Sequence, residues 1–277
     1  MNIKEITQNL LKQKLTLLCF IFIIIVIIAG IFAPIIAPHD PLEMELTKKF
    51  MPISIEYPMG TDNMGRCIFS RIVHGIRPTI GFSLIACAVS STFGIFIGML
   101  SGFKGGKIDM IIMRLCDVLY SFPSLVLTLV IVSFLGPGIK NIIIAMICVQ
   151  WIWYARVSRN LTIRERELNY VACSKLVGSS NIKILIKSIL PNIFPQVLAI
   201  ITIDFGHTIL AVSGFSFLGL GVKAPLPEWG MMINDGRSFM HSNPMLMFWP
   251  GIMILLVVLS TNIIGDKLRD TLEEVVS

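Results

Sequence analysis

Apolar and polar positions along this chain fall into long blocks, not short periods. Apolar runs at residues 15–36, 79–102, 108–135, 139–155, 193–212 and 245–264 each lie near the roughly 20 residues that cross hydrocarbon as a helix. The first run follows Lys4, Lys12 and Lys14 and is closed by Pro34 and Pro38. Its apolar part exceeds the ~7–15 residues of a signal peptide, so it reads as an uncleaved anchor. A polar loop of mixed charge follows to about residue 78. In the second run Gly94, Gly98 and Gly102 recur every fourth residue, which predicts close contact with another helix. Pro123 stands inside the third run, and Gly136-Pro137-Gly138 turns the chain into the fourth. A Gly/Pro-rich stretch at 213–244 precedes the sixth run, and a short charged tail at 265–277 follows it. This pattern predicts an all-α polytopic membrane protein with six transmembrane helices.

Between the fourth and fifth runs lies a polar island, residues 156–192, with Arg156, Arg159, Arg164, Arg166, Lys175, Lys183 and Lys187. A simple connection would need only a few residues. Helical spacing places Tyr170, Cys173, Ser174 and Val177 on one side, Gly178 permits a sharp change of direction, and Leu190-Pro191 marks entry to the next span. The small side chains leave room for docking in a cleft of another protein. The basic residues equally suit an amphipathic helix on anionic lipid, and the residues alone leave both readings open.

Composition narrows the class. The chain is 55% hydrophobic and 14% charged, against roughly 25% charged in soluble domains. Its net charge of +6 does not point to nucleic acid, because membrane proteins accumulate Lys and Arg on their cytoplasmic side. Six spans with the N-terminus inside put the island and both termini in the cytoplasm. The six cysteines form no C-x-x-C pair, so neither a disulfide framework nor a zinc site follows; they read as small packing residues. No phosphate-binding loop is present: Gly105-Gly106-Lys107 is followed by Ile108 where Ser or Thr is required.

The segment Tyr170-Val171-Ala172-Cys173-Ser174-Lys175-Leu176-Val177-Gly178-Ser179-Ser180, with Ile189-Leu190-Pro191-Asn192 after it, resembles the EAA loop of ABC importer permeases. Tyr57-Pro58-Met59-Gly60-Thr61-Asp62-Asn63-Met64-Gly65-Arg66 resembles the HPLGTDxxGRD segment of dipeptide, oligopeptide and nickel permeases, with Cys67 replacing its final Asp. Ser216-Phe217-Leu218-Gly219-Leu220-Gly221, Pro225-Leu226-Pro227-Glu228-Trp229-Gly230 and Gly265-Asp266-Lys267-Leu268-Arg269-Asp270 extend the resemblance over nearly the whole chain. It implies a type I ABC importer permease fold: an anchor helix and extracytoplasmic loop at 1–78, a permease domain at 79–268 with a coupling loop at 156–192, and a tail at 269–277. It implies that Tyr170, Val171, Ala172, Cys173, Ser174, Gly178 and Pro191 engage an ATPase. Cys173-Ser174 replace the usual paired alanines, and both stay small. Partners implied are a homologous second permease, two ATP-binding subunits, an extracytoplasmic substrate-binding protein and membrane lipid. ATP and magnesium would belong to those subunits, with no cofactor on this chain and no enzymatic activity of its own. Trp151-Ile152-Trp153-Tyr154-Ala155-Arg156 and Ile203-Asp204-Phe205-Gly206-His207 look most like nickel-transport members, with peptide permeases as the alternative.

Ionisable residues inside spans are expensive and face a cavity or a partner. Asp117, Asp204 and His207 fit that description as translocation-path candidates. Asp204 and His207, three apart, could pair as a structural link or meet the substrate, and imidazole suits nickel, so His207 is a candidate weak transit ligand. Asp117 could pair with Arg114 or line the path. The methionines Met231, Met232, Met240, Met245 and Met247 with His241 read as apolar filler more readily than as metal ligands, and Trp229 and Trp249 as interface anchors. An ion-coupled transporter using those ionisable residues, or a membrane scaffold, are the competing classes.

Overall fold

The computed structural model describes residues 13–276. Lys4 and Lys12 lie outside the described residues. Helix α1, Lys14–Ile31, is apolar nearly all round, and it runs into a short turn at Ala33–Ile36. Arg77 binds its C-terminal end, donating from Nε to the Gly30 carbonyl and from Nη2 to that of Ile31, both at 2.6 Å. Orphan carbonyls at a helix end are thereby satisfied by a cation, which also suits the helix dipole.

The loop that follows ends earlier than the prolines suggest. Helix α2 runs Ile68–Lys104 with Pro78 inside it; its 37 residues correspond to about 55 Å at 1.5 Å per residue. The expected loop at 39–78 therefore stops at Cys67. Neighbouring helices supply the context in which an internal proline is tolerated in a membrane helix.

The third apolar run is not one continuous helix. Pro123 divides it into α3, Gly106–Tyr120, and α4, Ser124–Leu135, which meet at 86°. Proline cannot donate to the preceding turn and restricts the residue before it, and Ser121-Phe122-Pro123 leaves the helix. Helix α5, Ile139–Arg166, carries straight through the start of the polar island. Helix α6, Asn169–Leu176, is the island's separate helix. Helix α7 spans Asn181–Phe217 and includes a π-turn at Leu185–Ile189. Leu190-Pro191 thus falls within α7 and not at its entry; the wide turn lies where Pro191 has no N–H to give. Helix α8, Trp229–Gly236, is short, and α9, Met245–Val276, absorbs most of the expected tail.

Five helices are long and apolar enough to cross a membrane, and the α3–α4 pair makes a sixth if it counts as one broken span. Among the described residues there is no β-strand, only an isolated bridge between Thr61 and Cys67. The most extensive packing is α2 against α5. Gly94, Gly98 and Gly102 line that seam: a Cβ at each would overlap the carbonyl oxygens of Trp151, Ala155 and Arg159 in turn. Helix α7 packs mainly on α9, where Gly206 and Gly265 allow similar approach. Cys19, Cys67, Cys87 and Cys116 are buried and unpaired, while Cys148 and Cys173 are exposed.

Candidate functional site

A cavity of about 970 Å³ opens between the α3–α4 break, α5 and α7. Its wall is largely apolar and aromatic, with Tyr120, Phe122, Trp153, Phe215 and Phe217 among its residues. Polar groups are few: Ser121, Ser124, Gln150, Asp204 and His207. A drug-sized volume with apolar walls and a few placed polar groups describes a small-molecule site. Asp204 and His207 are therefore brought to one cavity, but no ion pair or hydrogen bond joins them. Asp204 Oδ2 accepts instead from the Tyr154 hydroxyl at 2.5 Å. Tyr154 comes from α5, across the helix interface, and its rigid ring reaches the carboxylate that His207 on the same helix leaves free.

That bond belongs to a polar seam through three helices. One rung is Cys87–Tyr154–Asp204, with Cys87 Sγ 3.4 Å from the tyrosine oxygen. The other is Ser90–Gln150–Thr208, at 3.5 and 3.4 Å. Gln150 and Tyr154 are four apart on α5, as are Asp204 and Thr208 on α7, so the rungs stack one helical turn apart. Polar side chains in a membrane interior hydrogen-bond across helices in this way. Gln150 and Cys87 carry no motif, and Tyr154 belongs only to the Trp151–Arg156 resemblance, which gives it no role. The signal for the seam is the matching four-residue spacing of polar groups within apolar spans.

Asp117 lies elsewhere. It is absent from the cavity wall, its side chain is 58% exposed, and it pairs with Arg156 at 2.8 Å in place of Arg114. Arg156 also stacks over Tyr120, 4.5 Å from the ring centroid. Three residues on, Arg159 binds both oxygens of Asp109 at 2.5 Å. The crossing of α5 over α3 thus supplies cations that an intrahelical reading of α3 misses.

At the island, Val171 is fully buried in a cluster with Met99, Ile184, Leu185 and Ile189, which anchors α6 to α2 and α7. Tyr170 is half-buried, and its hydroxyl donates to Glu165 at 2.5 Å; burial and that bond push it up to about 12. Ser174 Oγ donates to the Tyr170 carbonyl. The open side is thus composed differently from the expected face of Tyr170, Cys173, Ser174 and Val177. It carries Ala172, Cys173, Lys175, Leu176 and Val177, with Leu176 87% and Val177 84% exposed. Gly178, at φ 80°, closes α6: its N–H bonds to the Lys175 carbonyl and that of Ser179 to the Ser174 carbonyl, the pairing of a Schellman motif. Pro191 is exposed on α7, roughly three turns into the helix.

The opposite end of the bundle is closed by charge. Arg71 is 2% exposed and reaches Asp62 and Asp235 at 3.7 and 3.6 Å and the carbonyls of Pro41 and Pro225 at 3.2 Å. Arg66 pairs with Asp62 at 2.7 Å and with Asp235 at 3.6 Å. Burial raises the Asp235 carboxyl, opposed by Arg71 and Arg66. Glu228, fully buried, caps α8 by accepting from the N–H groups of Gly230 and Met231 and from Thr79 and Ser213. Trp229 is buried, with its indole N–H on the Ile72 carbonyl at 3.0 Å; it is a core residue and not an interface anchor. Trp249 is half-buried against the same core. Among the described residues no three His, Cys, Asp or Glu side chains form a group able to hold a metal ion.

Long apolar helices around an apolar-walled cavity, with a short helix projecting from one end, define a membrane permease. Residues 94–275 match the binding-protein-dependent transport system inner membrane component, and residues 3–52 match the N-terminal TM domain of oligopeptide transport permease C. The chain belongs to the first of these families and is a permease subunit of an ABC importer. It is 38% identical over 236 residues to the nickel transport system permease protein NikC of Escherichia coli, covering 85% of each chain. The dipeptide transport system permease protein DppC of Alkalihalophilus pseudofirmus is 38% identical over 98% of this chain and 89% of its own. The metal-staphylopine import system permease protein CntC of Staphylococcus aureus is 38% identical over 98% of this chain and 94% of its own. A chain of the inward-facing MetNI methionine ABC transporter shares the fold, with TM-score 0.60 and 17% identity over 74% of this chain and 97% of that one. These relatives are transport permeases, not enzymes.

Proposed function

We propose that this subunit forms half of the path for nickel, free or chelated, in an importer completed by a homologous permease, two ATP-binding subunits and an extracytoplasmic binding protein. Di- or oligopeptide is the alternative cargo. The naming of the relatives supports both, one as a nickel, one as a metal-staphylopine and one as a dipeptide permease. The cavity's size, its aromatic wall and the single imidazole and single carboxylate lining it favour an organically wrapped ion over a bare one, since stripping water from a divalent ion needs several donors. Asp204 and His207 would meet the cargo in passing, His207 as a weak transit ligand. ATP and magnesium would bind the partner subunits. The Lys/Arg bias supports an orientation with the island and both termini in the cytoplasm.

One observation carries the coupling: Leu176 and Val177, at the tip of α6, are almost fully exposed although they stand outside the apolar spans. Helix α5 runs unbroken from the cavity wall at Trp153 to Arg166, and α7 returns from the island to the cavity. A push on α6 would therefore move both walls together. ATP must bind one arrangement more tightly than the other for such a push to shift anything. Gly178→Asp puts a Cβ and a charge where φ is positive, and it should abolish uptake and co-purification of the ATPase. Persistence of both would end the coupling reading. Uptake of radioactive nickel against labelled dipeptide in a deletion strain separates the cargoes.

A further inference from the structure

We infer that Tyr154 is a positioning residue for a single cation-recognising carboxylate, Asp204, and that the cargo meets that carboxylate through a positively charged group. The inference rests on the cavity being the path. Asp204 is the one carboxylate among the residues lining the cavity, and no Lys or Arg joins it there. Its Oδ2 is held by the Tyr154 hydroxyl, while no hydrogen bond among the described residues engages Oδ1. Tyr154 is itself 1% exposed, lies behind the wall, and has its oxygen against Cys87 Sγ. A rigid ring wedged between α2 and α7 thus fixes the carboxylate's rotation. One oxygen is consumed inside the protein and the other is left for the cavity. Surrounded by aromatic and aliphatic side chains, that oxygen attracts a cation more strongly than it would in water.

A peptide ammonium and the N–H groups of amines and imidazoles polarised by a bound metal cation share this chemistry. Proteoliposomes holding the complete importer would be supplied, through the binding protein, with the nickel bis-histidine complex in one arm and glycylglycine in the other. Uptake per assembled complex would be compared for Asp204→Asn, Asp204→Glu, Tyr154→Phe, the Asn/Phe double variant, Thr208→Val and Gly214→Phe. Asp204→Asn should cut uptake of the carried cargo about tenfold and Tyr154→Phe several-fold, with the double variant no worse than Asp204→Asn, because residues acting in one chain are non-additive. Asp204→Glu, which keeps the charge, should retain part of the uptake. The arm that falls identifies the source of the cation.

Thr208→Val breaks the Gln150 rung and the Thr208 contact with Cys87 while leaving the Tyr154–Asp204 bond in place, and serves as the measure of mere loosening between helices. The positioning role is overturned if Thr208→Val reproduces the Tyr154→Phe loss, if the losses multiply in the double variant, or if Tyr154→Phe is silent. A silent Asp204→Asn overturns the recognition itself. Gly214 lines the cavity with open space around it, so Gly214→Phe fills the path. If it blocks uptake while Asp204→Asn does not, the path stands and the inference falls; if uptake survives it, the path reading falls and takes the inference with it.

Discussion

The two ends of this helical bundle are finished in opposite ways. At the end holding Arg71 and Glu228, charged and polar groups saturate one another: Arg71 is shared between Asp62, Asp235 and two carbonyls, and Glu228 satisfies the first turn of α8. At the island end the Gly178 turn and the Tyr170–Glu165 bond satisfy the polar groups around α6, but Leu176, Val177 and Ile182 stand open, Ile182 at 69% exposure. The first end is built to hold the 37–67 loop to the helices. The second is complete as a fold and incomplete as a surface. On the coupling reading proposed above, these exposed apolar side chains are where an ATP-binding subunit docks.

That contrast can be broken from either side. The largest effect is expected at the closed end: Arg71→Ala removes one of the two buried arginines that Asp62 and Asp235 share, leaving Arg66 alone with both, and takes the donor from the Pro41 and Pro225 carbonyls. It should cost about 3 kcal/mol or more, read as a fall in the melting temperature of the purified complex. Gly98→Val, in the α2–α5 seam, would force its side chain into the Ala155 backbone; overpacking of this kind costs about 1–3 kcal/mol or more and should lower the amount of assembled permease. At the open end, Leu176→Asp should leave folding within about 0.5 kcal/mol yet weaken ATPase association by about 2 kcal/mol, as loss of an anchor does; a binding titration measures it. Equal loss of stability at Leu176 would erase the distinction between the ends.

The smallest effect is a pH dependence. Burial raises the native Asp235 carboxyl above its ordinary value of 3.8, so the folded state holds this proton more tightly than the unfolded chain. Its contribution to stability is full below that value and is lost as pH rises through the raised native value. Asp235→Asn should flatten the stability profile from pH 3.8 upward, measured by melting at a series of pH values. A profile unchanged by the substitution would show that the carboxyl is not set apart by burial.

The block pattern of apolar residues determined the position and order of the long apolar helices, because backbone groups in hydrocarbon must bond within a segment, but not the break at Pro123 or the short helices between spans. The Gly94-Gly98-Gly102 spacing likewise announced a close seam, since small residues at that interval form a ridge whatever partner meets it. Where helices end was less legible. Pro78 and Pro191 read as boundaries, yet both lie inside helices that neighbouring helices stabilise, while Pro123 does break its span. The same residue type gave two outcomes because surrounding packing decides whether a lost hydrogen bond can be absorbed. Asp204, Asp117 and His207 were legible as costly ionisable positions, but their partners were not. Tyr154 and Arg156 arrive from a helix 37 or more residues away, and no local spacing encodes that crossing. The sequence by itself determined a six-run importer permease with a charged island. Only the tertiary structure decided that Asp204 faces a cavity held by Tyr154, that Asp117 does not, and that α6 turns Leu176 and Val177 outward, because each depends on how helices distant in the chain are rotated against one another.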